Sequence, residues 1–304
     1  MALNNIRFYI TEKCNAKCPN CFNRQHRNDT HMDIEHFSLL CEFFSSYYSD
    51  QIKIMGGEPT LHPYFSEMMK LAQHYYKRVN VFTNAITDSI LEFTPRESDA
   101  ITYNFRFRKV LTPKKLLLDQ PGDRNLEIQI TQNVEKEKLV EDIIRVCNYS
   151  FNRIKPCLTL DCTSDIFSQK ELVVPIYEYV WAACLQLGIK MGQDHLLPMC
   201  YLEGSHIPMT PGGSKCLLSC AGLIDSSYNL HYCNQYYKES IPVFNPDGNI
   251  VPIKDLELFL KTIHQNNLQN NLDKGCSHCP MFAKYCNGGC FAGNDKVQRL
   301  ISPF

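Results

Sequence analysis

The chain lacks any uninterrupted apolar run approaching the ~20 residues that a membrane-spanning helix needs, which excludes a bilayer span of that kind. It has no excess of charge of either sign. Its 31 basic and 32 acidic residues leave a formal net charge of −1, so there is no electrostatic case for nucleic acid or an anionic membrane surface as a partner. The opening stretch MALNNIRFYI lacks the basic segment and long apolar core of a signal peptide, and the expected location is the cytoplasm. Internal repeats and low-complexity segments are missing too, so nothing points to a repeat array. What remains is a globular composition, 44% hydrophobic and 21% charged, in 304 residues. That length suits one large core or two smaller ones.

Cysteine is what the chain has in excess. Sixteen are present, many for a reducing compartment where disulfides are rare. Metal ligation or redox chemistry is the expected use. Ten of the sixteen fall into two groups: Cys14, Cys18 and Cys21 near the start, then Cys216, Cys220, Cys233, Cys276, Cys279, Cys286 and Cys290. Cys41, Cys147, Cys157, Cys162, Cys184 and Cys200 are scattered and read mainly as small buried hydrophobes.

From residue 6 to about 195 strand-like and helix-like stretches alternate. The segments IRFYI, QIKIM (51–55), VNVFT (79–83), AITYNFRF (100–107), LEIQITQ (126–132), CLTLDC (157–162) and IKMGQDHL (189–196) read as strands. Helical spacing marks 33–48, with Asp33 as a cap, and 64–76, 134–147 and 170–188. Strands alternating with helices indicate βαβ units and a parallel sheet. The expectation is an α/β fold: a partial (β/α)6 TIM-like barrel of parallel strands over residues 1–198. In such folds the chemistry gathers at the C-terminal ends of the strands. Beyond residue 198 the texture turns hairpin-like, around Ser226-Ser227 and Asp247-Gly248. Residues 199–304 are therefore expected to form a small cysteine-rich α+β extension with β-hairpins.

The first cysteine group, Cys14-x3-Cys18-x2-Cys21, directly follows the first strand. Thiolates suit zinc or iron–sulfur clusters. A structural zinc site recruits four protein ligands, and His26 or His31 could supply a fourth. A three-thiolate [4Fe–4S] cluster would instead leave one iron open to a small molecule. The spacing resembles the signature of the radical S-adenosylmethionine (SAM) superfamily. In that family the open iron chelates SAM, and the reduced cluster cleaves it to methionine and a 5′-deoxyadenosyl radical that abstracts a substrate hydrogen. The segment MGGEPTLHP (55–63) resembles the family's GGEP motif. Its glycines, Gly56 and Gly57, permit close backbone approach to a ligand, and Glu58 is implied as acceptor for the methionine ammonium. VFTNA (81–85) resembles the third-strand Thr-Asn of the family and implicates Thr83 and Asn84. Asn104 stands where such enzymes place a contact to ribose or carboxylate. In place of the aromatic residue that often precedes the third cysteine stands Asn20, with Phe22 after it.

The later cysteines resemble the SPASM extension of radical SAM enzymes. That resemblance implies one auxiliary [4Fe–4S] cluster on Cys216, Cys220, Cys233 and Cys290, and a second on Cys276, Cys279 and Cys286. The second lacks a cysteine as fourth ligand, which leaves an open site, a substitute such as Asp295, or one auxiliary cluster instead of two. The expected activity is an oxidoreductase or maturase that modifies a ribosomally made peptide by crosslink, thioether or epimerisation. An electron donor such as flavodoxin or ferredoxin is implied. The strand series starts within ten residues of the first, leaving no room ahead of it for a leader-binding domain. That favours the runner-up, a dehydrogenase or mutase of a sugar, aminocyclitol or amino-acid-derived small molecule. A metal-binding protein without turnover is the remaining class. Cys200 is the candidate hydrogen-atom donor, and Asp194 and His195 are candidate proton-transfer groups. A buried structural cysteine and ordinary loop residues are the alternatives.

Overall fold

The computed structural model describes residues 6–18, 21, 23, 28–48, 50–130, 134–147, 154–160, 170–189, 192–193, 200, 222–233, 236–271, 276–280, 282 and 286–287. The chain opens with β1 (Ile6–Thr11), buried along its whole length, as expected of a strand covered on both faces. The first helix, α1 (Ile34–Ser45), begins where expected. The Asp33 side chain accepts hydrogen bonds from the backbone N–H groups of Glu35 and His36, an N-cap that satisfies two otherwise unpaired donors. Phe37, Leu40, Cys41 and Phe44 form its buried stripe. Phe8 of β1 meets two of them edge-on, with centroids 5.6 Å from Phe37 and 6.3 Å from Phe44, a favoured aromatic arrangement. After β2 (Gln51–Gly56), α2 (Phe65–Tyr75) repeats the pattern with Phe65, Met68, Met69 and Ala72.

The series continues through β3 (Arg78–Thr83), β4 (Ala100–Asn104), β5 (Asp123–Ile130), α3 (Lys136–Cys147), β6 (Ile154–Leu160), α4 (Lys170–Gln186) and β7 (Gly192–Gln193). Each of these strands pairs in parallel with its predecessor. Two crossovers depart from strict strand–helix alternation. Between β3 and β4, and between β4 and β5, only short 3-10 turns and irregular chain are present. Pro95, Pro113 and Pro121 fall in these crossovers and each lacks the N–H that a helix interior requires. Buried polar side chains hold the connections instead. Arg124, fully buried, donates to the carbonyls of Leu116 and Leu117, each at 2.6 Å, and to that of Pro121 at 3.0 Å. Asp99 accepts from Arg96 N, Val79 N and Gln73 Nε2, all at 2.8 Å, and from the Arg96 guanidinium.

The later strands extend the same sheet. The short β8 (Leu223–Ile224) pairs in parallel with β1, on the edge opposite β2. It turns back into β9 (Asn229–Cys233), and β10 (Tyr236–Pro242) adds antiparallel outside. The sheet order is β10-β9-β8-β1-β2-β3-β4-β5-β6-β7. Both expected hairpins are present: one turns at residues 225–228, the other brings Phe244 to Ile250, with Gly248 at φ +80°. Helix α5 (Ile253–Asn271) buries Leu256, Leu260 and Ile263 and is tied to the turn after α1 by the Tyr48 hydroxyl, which donates to Glu257 Oε1 at 2.8 Å. The division expected near residue 198 falls outside the described residues.

Burial would raise the Asp99 carboxyl, but the hydrogen bonds from Arg96, Val79 and Gln73 outweigh it and hold the group below its ordinary value. A depressed carboxylate contributes stability that is present above its unfolded value and lost as pH falls through the folded one. Asp99→Ala is therefore expected to cost about 3 kcal/mol at neutral pH. That loss should shrink as the pH falls below 4, measured by urea denaturation at several pH values.

Candidate active site

The described residues 12–18, 21, 23 and 28–30 belong to a loop at the C-terminal end of β1, the end at which a parallel sheet gathers its chemistry. Backbone bonds close its neck: Glu12 N donates to Thr30 O at 3.0 Å and Met32 N to Ile10 O at 2.8 Å. Within the loop Cys14, Cys18 and Cys21 are half-buried thiols. Cys21 N donates to Cys18 O at 3.4 Å, closing the turn of the x2 spacing, and Ala16 N points to Cys14 Sγ at 3.5 Å. Among the described residues no three His, Cys, Asp or Glu side chains come together as a ready metal-binding group. The fit to an iron–sulfur cluster lies in the donor chemistry: three soft ligands on one short loop, with a backbone N–H already aimed at sulfur. His31, the alternative zinc ligand, lies at the neck with a buried Nδ1 that has no partner among the described residues; His26 lies outside the described residues.

The end of β2 packs directly on this loop. Gly57 N donates to Thr11 O and Glu58 N to Lys13 O, both at 2.8 Å. A Cβ on Gly56 would sit 2.3 Å from Thr11 O, and one on Gly57 would sit 2.4 Å from Lys13 O and 2.5 Å from Glu12 O. The glycines are needed because two backbones touch here. The close approach expected toward a ligand is made toward the cysteine loop itself.

Glu58 is 1% exposed and joins β2 to β3. Its Oε1 accepts from the hydroxyls of Thr60 and Thr83, both at 2.7 Å, and from Thr60 N at 3.3 Å; its Oε2 accepts from Asn84 N at 2.7 Å. Burial raises its pKa, and these four bonds pull it back in part. Thr83 Oγ1 also accepts from Ala85 N at 2.9 Å, and Asn84 Oδ1 accepts from Ile86 N at 2.9 Å. Asn84 Nδ2 then reaches the cysteine loop, donating to Asn15 Oδ1 at 2.8 Å. Gly56, Gly57, Glu58, Thr83 and Asn84 are thus brought together with the loop of Cys14, Cys18 and Cys21. Asn104 caps its own turn at the end of β4, accepting from Arg106 N at 3.0 Å.

Few of the other expected residues are among the described ones. Cys200 is half-buried, and the segments on either side of it lie outside the described residues, as do Asp194, His195, Cys216, Cys220, Cys290, Asp295, Asn20 and Phe22. Cys233 ends β9. Because β9 runs antiparallel to β8, Cys233 lies toward the N-terminal end of β1, away from the cysteine loop. Cys276 and Cys279 share a turn, with Cys279 N donating to Cys276 O at 3.1 Å, and Cys286 bridges to Phe282.

Two residues of the loop carried no motif and were missed. Glu12 is 4% exposed, and its Oε2 accepts from Asn23 Nδ2. Ser226 reaches Glu12 Oε1 through its hydroxyl at 3.5 Å. Burial raises the Glu12 pKa, Asp225 adds to that, and the bonds from Asn23 and Ser226 oppose it. The one signal available in advance was a carboxylate at the first position after a buried strand, two residues before the first cysteine.

Residues 8–101 match the Radical SAM superfamily. A probable GTP 3′,8-cyclase of Methanocaldococcus jannaschii is 30% identical over 87 residues, 28% of this chain and 29% of that protein. An S-adenosylmethionine-dependent nucleotide dehydratase of Flammeovirga pacifica is 32% identical over 85 residues, 26% of this chain and 29% of that protein. The chain spans less than a third of the length of these curated relatives. Solved structures match far more of the fold. Streptococcus suis SuiB bound to S-adenosylmethionine aligns with a TM-score of 0.65 and 14% identity over 98% of this chain and 75% of that one. The anSMEcpe protein with bound AdoMet and the Cp18Cys peptide gives 0.61 and 15% over 98% and 91%.

Gly57→Ala forces a side chain against two backbone carbonyls that cannot move independently. It is expected to destabilise the loop by about 1–3 kcal/mol. Limited proteolysis should show faster cleavage within residues 12–30, with α3 cut no faster than before.

Proposed function

We propose that this chain, whose residues 8–101 form a radical SAM superfamily domain, is an enzyme that modifies a peptide by hydrogen abstraction. The observation that carries this reading is the seating of the three-cysteine loop on Gly57 and Glu58 at the C-terminal end of β1. Cys14, Cys18 and Cys21 would hold a [4Fe–4S] cluster. With SAM bound, such a cluster would supply the one-electron chemistry that cleaves the cofactor and starts hydrogen abstraction.

The chain's own residues orient and shield. Glu58 Oε2 takes Asn84 N as a donor, and an ionised carboxylate oxygen accepts more than one hydrogen bond. It can therefore also take the methionine ammonium of SAM, whose charge would offset the cost of burying the carboxylate. Thr60, Thr83 and Asn84 hold that carboxylate in place, and Asn84 in turn holds the loop through Asn15. Asn104, at the mouth of β4, is the contact assigned to ribose or carboxylate. Cys200 is assigned as hydrogen donor in a redox-neutral outcome, with Asp194 and His195 as proton-transfer groups.

A peptide substrate is supported by the likeness of fold to SuiB, solved with its precursor peptide SuiA over 79% of this chain at a TM-score of 0.57, and to anSMEcpe with its bound peptide. Cys216, Cys220, Cys233 and Cys290 would hold one auxiliary cluster. Cys276, Cys279 and Cys286 would hold a second, with an open site or Asp295 as fourth ligand. Such clusters suit oxidation because a substrate radical can shed its second electron into them. The nucleotide-directed relatives over residues matching the domain favour a small-molecule substrate as the second reading. A cytoplasmic location and a flavodoxin- or ferredoxin-type donor fit either. Among the described residues no helix is long and apolar enough to cross a membrane.

Anaerobic reconstitution should give about twelve irons per chain for three clusters; about eight would remove the second auxiliary cluster. Cys14→Ala should lower iron by about four and abolish reductive SAM cleavage, whatever the substrate. Co-expression with candidate peptides, read by mass spectrometry, should show loss of two hydrogens for a crosslink or no change for epimerisation. Turnover of a small molecule, with every peptide unmodified, would favour the second reading.

A further inference from the structure

The cysteine loop is held at one point by a group that the chemistry above does not use. Glu12 stands two residues before Cys14 and Asn23 two residues after Cys21. Their side chains join, Asn23 Nδ2 donating to Glu12 Oε2, and so close a ring around the three cysteines. Asn23 is 1% exposed, so this bond is made away from water.

The same carboxylate faces the C-terminal hairpin. Ser226, itself buried, approaches Glu12 Oε1 with its hydroxyl at 3.5 Å. The next turn residues continue the contact. Tyr228 OH accepts from Asp33 N at 3.0 Å, just past the neck of the loop, and its ring lies 4.9 Å from that of His36. The turn that presents Ser226 is itself rigid. Asp225 Oδ1 accepts from Ser227 N and Asn229 N, each at 2.9 Å, and its Oδ2 meets His231 Nε2 at 2.8 Å. The β8–β9 hairpin therefore contacts the start of the cysteine loop at Glu12 and the start of α1 at Asp33 and His36.

A buried carboxylate beside a second one, Asp225, costs stability that an apolar residue here would avoid. Such a group is retained where directed hydrogen bonds are needed. We propose that Glu12 is a positioning residue that locks the cysteine loop through Asn23 and couples it to the C-terminal hairpin through Ser226, so that loading of the loop depends on the hairpin. The loading half of this statement rests on the radical SAM reading; the coupling half does not.

Hydrogen exchange read by mass spectrometry on the full chain tests the coupling without any cofactor. Glu12→Ala is expected to raise exchange roughly tenfold both in residues 12–23 and in residues 222–231, with α3 unchanged. Glu12→Gln should restore most of the protection, since its amide oxygen accepts from Asn23 and its amide nitrogen can donate to Ser226 Oγ. If Glu12→Ala fails to fold, Asn23→Ala replaces it and should loosen residues 12–23 while leaving 222–231 protected. Unchanged exchange in 222–231 for Glu12→Ala, equal loss in Glu12→Gln, or unchanged exchange in 12–23 for Asn23→Ala would each overturn the proposal.

Loading is read on anaerobically reconstituted protein by iron content and by electron paramagnetic resonance with and without SAM. Glu12→Ala should lose about four irons and the SAM-responsive signal, both recovered in Glu12→Gln. Full iron and an unaltered signal in Glu12→Ala would remove the loading half. A wild-type protein whose Cys14, Cys18 and Cys21 take up no cluster would sink the radical SAM reading, while the exchange experiment still decides the coupling.

Discussion

The backbone contact between the end of β2 and the start of the cysteine loop is the constraint on which the site depends. At Gly56 and Gly57 the chain passes so close to Thr11, Glu12 and Lys13 that any side chain would collide with a carbonyl. The two N–H bonds made across this contact fix the loop at the sheet's C-terminal edge. Loops without such ties are mobile and variable. Here the loop's entrance takes its position from the rigid parallel sheet.

From that contact the polar groups extend in two directions. Glu58 carries the tie into β3 through Thr83 and Asn84, and Asn84 returns it to the loop at Asn15. Glu12 carries it the other way, through Asn23 and Ser226, into strands added on the far side of β1. Two buried carboxylates thus bracket the three cysteines, one toward β3 and one toward β8. Each is surrounded by donors, as buried carboxylates must be to stay compatible with folding. The apolar residues around them are ordinary core. Phe8 against Phe37 and Phe44 shows why α1 packs where it does without any bearing on chemistry.

Much of this was legible in the residues. Asp33 announced the start of α1, and the apolar spacing of both α1 and α2 marked the faces they bury. The cysteine spacing and the Gly-Gly-Glu segment pointed to one end of the sheet because both follow strands that start a parallel series, and backbone bonds join the two there. No helical spacing was read in the crossovers around β4, where prolines stand; what was not legible is that a buried Arg124, whose acceptors are backbone carbonyls, holds the second of them. The pairing of β8 with β1 was also hidden, since nothing local to Leu223 or Ile224 specifies a partner more than two hundred residues earlier.

The sequence by itself determined which residues are soft metal donors, where the strand and helix periods lie, and which glycines stand beside a carboxylate. Those properties reside in single residues and short spacings, which chain order preserves. Tertiary structure alone decided what the glycines approach, what Glu58 bonds, and that Glu12 meets Ser226 at the ends of two paired strands. Such contacts join segments distant in sequence. Their geometry exists only once β1 has been paired with β2 on one side and β8 on the other.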